Sequence, residues 1–159
     1  MYLDKLFNKD QLVLYLDEIR TNDLIVGFTN GCFDLLHEGH LSLLSQAKKK
    51  CDFLIVGINS DLSVKKLKGP DRPIDKEQIR LKKLSIIKDV DALIVFREET
   101  PLKIINELMP NILFKGADYK YKEVIGTQSI IKNGGKIEFI DILEGFSTTS
   151  IIQNSSTKF

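Results

Sequence analysis

Five short apolar runs govern what this chain can fold into: LIVGFT at residues 24–29, FLIVGI at 53–58, ALIVF at 92–96, ILFK at 112–115 and KIEFIDI at 136–142. Most are apolar throughout rather than alternating, as strands are when both faces of a sheet are covered. Segments of helical character separate them. Residues 10–20 carry Leu12, Leu16 and Ile19 at helical spacing, and residues 41–49 (LSLLSQAKK) end in basic residues where a helix dipole favours them. Residues 76–87 form a third helical segment, with Asp75 as its expected N-cap. Thr100 and Pro101 open a fourth, which stops before Pro110. Residues 124–132 form a fifth, closed by Asn133-Gly134-Gly135, and 147–153 a short last one. Residues 59–75 (NSDLSVKKLKGPDRPID) read as a polar loop. Strand and helix in alternation predict an α/β fold, a doubly wound parallel five-stranded sheet. One domain over residues 1–159 is expected, with a polar tail at about 154–159.

Composition narrows the partners. With 28% charged residues and a formal net charge of +1, nothing calls for nucleic acid or a membrane surface. The start, MYLDKLFNKD, is charged and does not resemble a signal peptide, and no apolar run reaches the roughly 18 residues of a membrane span. A cytoplasmic protein is therefore expected. Cys32 and Cys51 lack CxxC partners, so they read as reduced, partly buried thiols.

In a doubly wound sheet, ligands bind outside the carboxyl ends of the strands. Four polar segments are expected to meet there: residues 30–40, 59–68, 116–119 and 145–149. The first holds the chain's only two histidines, His37 and His40, in HEGH between the first strand and the helix beginning near Gly39. Imidazoles at a helix start can donate to phosphate oxygens, and a glycine between them lets a phosphate approach the backbone. Two surface histidines without a role, or metal ligands, are the competing readings. A zinc-type HExxH is excluded, because the second histidine comes one residue too early. Lys65, Lys66 and Lys68 are expected on a loop able to close over a phosphate-rich ligand, and the planar fork of Arg80 suits a phosphate. Gly145-Phe146-Ser147-Thr148-Thr149 precedes the last helix, where a hydroxyl can both cap the helix and bind an anion. Asp118, after Gly116 at the end of the fourth strand, is the candidate carboxylate there. Neither a P-loop GxxxxGK[ST] nor a GxGxxG turn is present.

TNGCFDLLHEGH, residues 29–40, resembles the HxGH signature of the cytidylyltransferase-like nucleotidyltransferases, and STTSII at 147–152 resembles their second motif. From about residue 8 to 152 the chain is similar to bacterial heptose 1-phosphate adenylyltransferases. VGINSDLSVKKLKGPDRPI, FREETPLKIINELMPNILFKGADY and IIKNGGKIEFIDILEGFSTTSII carry that similarity. The resemblance implies a Rossmann-like fold and the reaction of ATP with D-glycero-β-D-manno-heptose 1-phosphate to give ADP-heptose and pyrophosphate, for lipopolysaccharide core assembly. It implies Mg²⁺ as the accompanying ion and a homo-oligomer, a dimer. In many bacteria this activity is fused to a sugar kinase, so the chain resembles the stand-alone form.

Carried over by residue, His37 and His40 would hold the ATP phosphates and stabilise the transition state, and Lys66 and Lys68 would grip phosphate. Thr29, Asn30, Gly31, Cys32, Phe33, Asp34 and Gly39 would line the nucleotide pocket. Arg80 would sit near the base or phosphates, and Ser147, Thr148 and Thr149 would contact phosphates, with Gly116 and Asp118 nearby. The glycerol 3-phosphate branch places an arginine shortly before its STT motif, where this chain has Ile142-Leu143-Glu144-Gly145-Phe146. Glycerol 3-phosphate with CTP, a flavin acceptor, and a non-catalytic nucleotide sensor are the alternatives.

Overall fold

The computed structural model describes residues 4–119 and 123–141. Ser147, Thr148, Thr149, the expected last helix and the polar tail lie outside them. Five strands form one sheet: β1 (Val26–Gly31), β2 (Phe53–Asn59), β3 (Ala92–Phe96), β4 (Ile112–Gly116) and β5 (Lys136–Ile140). All pairings are parallel, in the order β3-β2-β1-β4-β5. Successive side chains of each strand point to opposite faces, and both faces are covered. Phe28, Ile55, Ile94 and Leu113 pack against α1 (Lys9–Arg20) and α5 (Leu102–Leu108), with Ile130 of α6 (Thr127–Lys132). Leu54, Val56, Ile58 and Phe114 pack on the other face against α2 (Glu38–Lys48) and α4 (Glu77–Ser85). This two-sided burial is why the strands read as nearly continuous apolar runs. Gly27 lets the layers close, since a Cβ there would meet the Phe114 ring at 2.5 Å and Cys51 Sγ at 2.8 Å.

The free edge of β3 is not left open. Leu93 donates from N–H to Lys5 O at 2.8 Å, and Phe7 N–H donates to Leu93 O at 3.0 Å. The segment ahead of α1 thereby pairs with backbone groups that would otherwise offer an edge for association.

The largest departure from the sequence reading is in residues 59–75. Half of the expected loop is α3 (Asp61–Lys68), capped by Ser60, whose hydroxyl accepts from Ser63 N–H at 3.2 Å. Gly69, at φ 109°, ends it. Of α3, only Ser63 and Val64 are buried, while Leu62 and Leu67 are exposed, so no apolar stripe announced a helix. At the next helix, Asp75 is not the cap. Lys76 holds that position without a side-chain bond, and Asp61 Oδ1 accepts from Glu77 N–H at 2.8 Å instead. Pro101, rather than Thr100, is the N-cap of α5, and α6 begins at Thr127 after Gly126, with Val124 buried ahead of it.

The first strand is also displaced from the sequence reading. Leu24 and Ile25 are exposed, and β1 runs on through the polar Thr29-Asn30-Gly31. The strand's polar end reaches the carboxyl edge of the sheet, where ligands bind in open α/β folds.

Candidate active site

From β1 the chain crosses first to β2 and β3, then returns to the other side for β4 and β5. β1 therefore flanks the switch point, where a crevice forms at the carboxyl ends. The ladder shows the opening. β1 stays paired with β2 to Gly31↔Ile58, whereas its pairing with β4 stops at Phe28↔Leu113. Beyond that point the strands are joined by a side chain: Lys115 Nζ donates to Asn30 Oδ1 at 2.8 Å.

The loop from β1 into α2 carries two non-glycine residues at positive φ, Phe33 at 50° and Leu35 at 52°. That conformation is unfavourable for an L side chain and is found preferentially where a loop must hold functional groups. Here it delivers His37 to the start of α2. His37 is the N-cap, and its Nδ1 accepts from Gly39 N–H at 3.1 Å and His40 N–H at 3.4 Å. His40 Nδ1 in turn accepts from His37 N–H at 3.3 Å, closing a reciprocal capping box. The two rings stack at 3.7 Å, and His40 packs on Phe33 at 5.1 Å.

The bonding pattern fixes the chemistry. With Nδ1 of both rings accepting, each neutral imidazole carries its proton on Nε2 and presents an N–H donor there. Burial lowers the pKa of His37, and burial together with the His37 charge takes His40 down to about 4. At neutral pH both rings are neutral donors at the positive end of a helix, an arrangement suited to an anion.

A test of this environment follows by linkage. An imidazole in the unfolded chain takes a proton near pH 6.5, whereas folded His40 resists until about 4. The unfolded state therefore binds more protons between those values, and stability falls as pH drops from 6.5 towards 4. Melting temperatures of wild type and His40→Gln across pH 4–7 are expected to converge at the acid end of that window. Equal slopes in the two proteins would contradict the neutral, buried ring.

Behind the histidines, buried polar groups hold the strand ends together. Asp34 is 1% exposed and accepts from Arg72 Nε at 2.9 Å, Ile74 N–H at 2.8 Å and Asp75 N–H at 2.9 Å. Burial alone would raise its pKa; the two backbone donors and Arg72 outweigh that and hold it below the usual value. Expected to line a nucleotide pocket, Asp34 serves in the structure as an anchor for residues 72–75. Arg80, expected near the base or phosphates, is 1% exposed and spends its guanidinium on the protein. It donates to Cys32 O at 2.8 Å, Asn59 O at 2.7 Å, Asp75 O at 3.0 Å and Asp61 Oδ1 at 2.8 Å. These bonds gather the ends of β1 and β2 with the starts of α3 and α4.

The remaining candidates divide by position. Thr29 is buried on β1, Gly31 closes that strand against the Phe33 ring, and Gly116 is buried at the end of β4. Cys32 lies at the end of β1, where burial raises its thiol pKa although Lys68, Arg80 and Arg72 pull it down. Lys68 therefore lies within electrostatic reach of the crevice. It follows buried Val64 by four residues and shares its helix face, whereas Lys66 is two residues off and faces away. Both lysines are exposed, on the last turn of a helix rather than on a closing loop. Asp118 is exposed in the 3-10 turn Ala117–Tyr119, and its charge acts on Lys115. Sequence reasoning passed over Lys115 and Arg72. The signal for Lys115 was a cation closing an otherwise apolar strand, ILFKG; Arg72 gave none, because its role depends on meeting Asp34.

The sequence pattern of the cytidylyltransferase-like family matches residues 28–154, a span that takes in the whole switch-point crevice. The chain belongs to the cytidylyltransferase-like family. It is a nucleotidyltransferase. Among proteins similar to this cytidylyltransferase-like chain is the bifunctional protein HldE of Caulobacter vibrioides, 49% identical over 148 residues, which are 93% of this chain and 31% of that protein. The HldE of Rhodospirillum rubrum is 51% identical over 137 residues, 86% of this chain and 28% of the relative. The chain spans about a third of the length of the curated relatives it matches. A crystal structure of a lipopolysaccharide core biosynthesis protein from Thermoplasma volcanium superposes with a TM-score of 0.61 at 33% identity, covering 76% of this chain and 97% of that one. A pantoate-beta-alanine ligase from Francisella tularensis superposes at 0.65 with 18% identity, over 94% of this chain and 72% of that one; it shares the fold. No helix among the described residues is long and apolar enough to cross a membrane.

Proposed function

We propose that this nucleotidyltransferase transfers the adenylyl group of ATP to D-glycero-β-D-manno-heptose 1-phosphate, releasing pyrophosphate and forming ADP-heptose. The stacked, neutral His37–His40 pair at the start of α2 carries the reading. The similarity to bifunctional HldE proteins and to a lipopolysaccharide core biosynthesis protein supports the acceptor. A phosphate oxygen of the acceptor attacks the α-phosphorus, a new P–O bond forms, and the bond to the β-phosphate bridging oxygen breaks. The protein's own work is to position two anions and to offset charge as it develops. The Nε2–H groups of His37 and His40 would donate to the triphosphate, with backbone N–H groups at the start of α2 beside them. Lys68 would meet the charge that grows on the leaving pyrophosphate.

Mg²⁺ fits such a site as an ion that arrives on the nucleotide, since it keeps several waters and needs few protein carboxylates. Asp34 already serves three donors, and the phosphate oxygens would be the ion's main ligands. When bound, the ion would neutralise phosphate charge.

The deciding experiment is pyrophosphate release with Mg²⁺, pairing ATP and CTP in turn with heptose 1-phosphate and glycerol 3-phosphate. Release with ATP and the heptose alone is expected. Release with CTP and glycerol 3-phosphate would keep the family chemistry and overturn the substrate. Silence from a folded protein with every pair would move the weight to another acceptor or to a nucleotide sensor.

A further inference from the structure

Lys115 is a cation where an apolar strand ends. Ile112, Leu113 and Phe114 before it are buried, and its own side chain reaches the crevice across the gap between β4 and β1. Its hydrogen-bond partner there, Asn30, is a neutral amide 2.8 Å away. The Tyr119 ring lies beneath the ammonium, 5.3 Å to the centroid. An amide and a ring face are weak counterparts for a partly desolvated cation, and the carboxylate that acts on it, Asp118, is exposed and screened by water, so part of its electrostatic demand is left to a ligand.

Beside Lys115 is a cavity of about 180 Å³, with Asn30, Glu99, Thr100, Tyr119 and Glu123 in its lining. Val124 and Ile125 give it an apolar wall. Two carboxylates repel a phosphate but accept hydrogen bonds from hydroxyls, as does the amide oxygen. An apolar wall suits the C–H face of a sugar ring. The lining thus separates into one place for an anion, at Lys115, and a region for a polyhydroxylated body. The histidine pair lies on the α2 side of the end of β1, and Lys115 on the β4 side. A reaction between two phosphates needs an anion-holding group on each flank.

We propose that Lys115 is the specificity-determining cation of the acceptor site, holding a phosphate oxygen of the sugar 1-phosphate while the adjoining cavity takes the hydroxyl-bearing part of that molecule. This rests on the proposed acceptor, and the tests are chosen to fail separately from it.

Lys115→Met keeps the length of the stem and removes the charge. Its KM for heptose 1-phosphate is expected to rise by about tenfold or more, with KM for ATP changed by less than about twofold, and Lys115→Arg should recover most of the loss. A second readout needs no variant. Burial lowers the Lys115 pKa to about 8, against the opposing pull of Asp118. The charge is therefore present below that pH and lost above it. Among the described residues, the groups around the ammonium are Asn30 from β1, Asp118 and Tyr119 after β4, Glu99 and Thr100 before α5, and Glu123 before α6. The acceptor's phosphate completes its own ionisation near pH 6, well below this window. Wild-type kcat/KM for the acceptor should fall above pH about 8, and Lys115→Arg should lack that limb. If Lys115→Met does not fold, the wild-type limb and Lys115→Arg decide the matter. An unchanged acceptor KM in folded Lys115→Met, a rise in the KM for ATP instead, or an alkaline limb that persists in Lys115→Arg would each overturn the assignment while the substrate reading stands. A wild type that neither binds nor turns over any sugar 1-phosphate would overturn both.

Discussion

His37→Asn is expected to leave the fold intact and to cut turnover by about 10²-fold or more, the scale of losing one preorganised donor to developing charge. The substitution separates two tasks of one ring. As N-cap, His37 accepts through Nδ1 from the N–H groups of Gly39 and His40. An asparagine Oδ1 performs that task well, since asparagine is among the best N-caps. The other task, under the proposed function, would be donation from Nε2, which the shorter side chain cannot reach to perform. Melting should therefore stay near the wild-type temperature while kcat drops. His37→Ala removes both tasks and should add a capping loss of about 1 kcal/mol. His40→Ala should show a turnover loss of about the same 10²-fold order, together with loss of the packing on Phe33 and His37. Wild-type turnover in folded His37→Asn, measured as pyrophosphate release, would remove the imidazole from the reaction.

What the sequence disclosed about this site follows from which interactions are local. HEGH could be read as a helix start because His37, Gly39 and His40 bond to one another within three residues. The sheet was legible because β1 to β4 are mostly buried on both faces, so their apolar runs are nearly unbroken, while the edge strand β5 alternates and buries only Ile140. α3 was not, since it buries only Ser63 and Val64 and its remaining pattern is that of a charged loop. The polar end of β1 was cut short for a related reason: Asn30 and Gly31 lack apolar character, yet they continue the ladder with β2. Arg80 shows the limit most plainly. Its residue type pointed to phosphate, but its four partners come from residues 32, 59, 61 and 75. No sequence window contains that constellation, and only the fold brings it together.

Arg80→Met should produce the largest stability loss of any single substitution among the candidate site residues. The guanidinium is buried, and removing it strands the carbonyls of Cys32 and Asn59 at the ends of two adjacent strands. Breaking a buried charged partner costs about 3–5 kcal/mol. Asp61, whose side chain is 40% exposed, can turn to water, which places the expected loss at the lower end of that range. About 3 kcal/mol corresponds to a fall in melting temperature of roughly 6–12 °C for a chain of this size. Arg80→Lys should recover less than half of it, because one ammonium cannot reach carbonyls on two strands and the Asp61 carboxylate in the plane that the fork spans. Activity should fall as well in the folded fraction, because the Cys32 carbonyl fixes the strand end from which the Phe33–Leu35 turn sets out towards His37. The pairing of effects is the test. A variant that melts like wild type would show that the buried fork is dispensable to the fold. One that melts early yet keeps full turnover at low temperature would show that the loop holds the histidines without help from the strand ends.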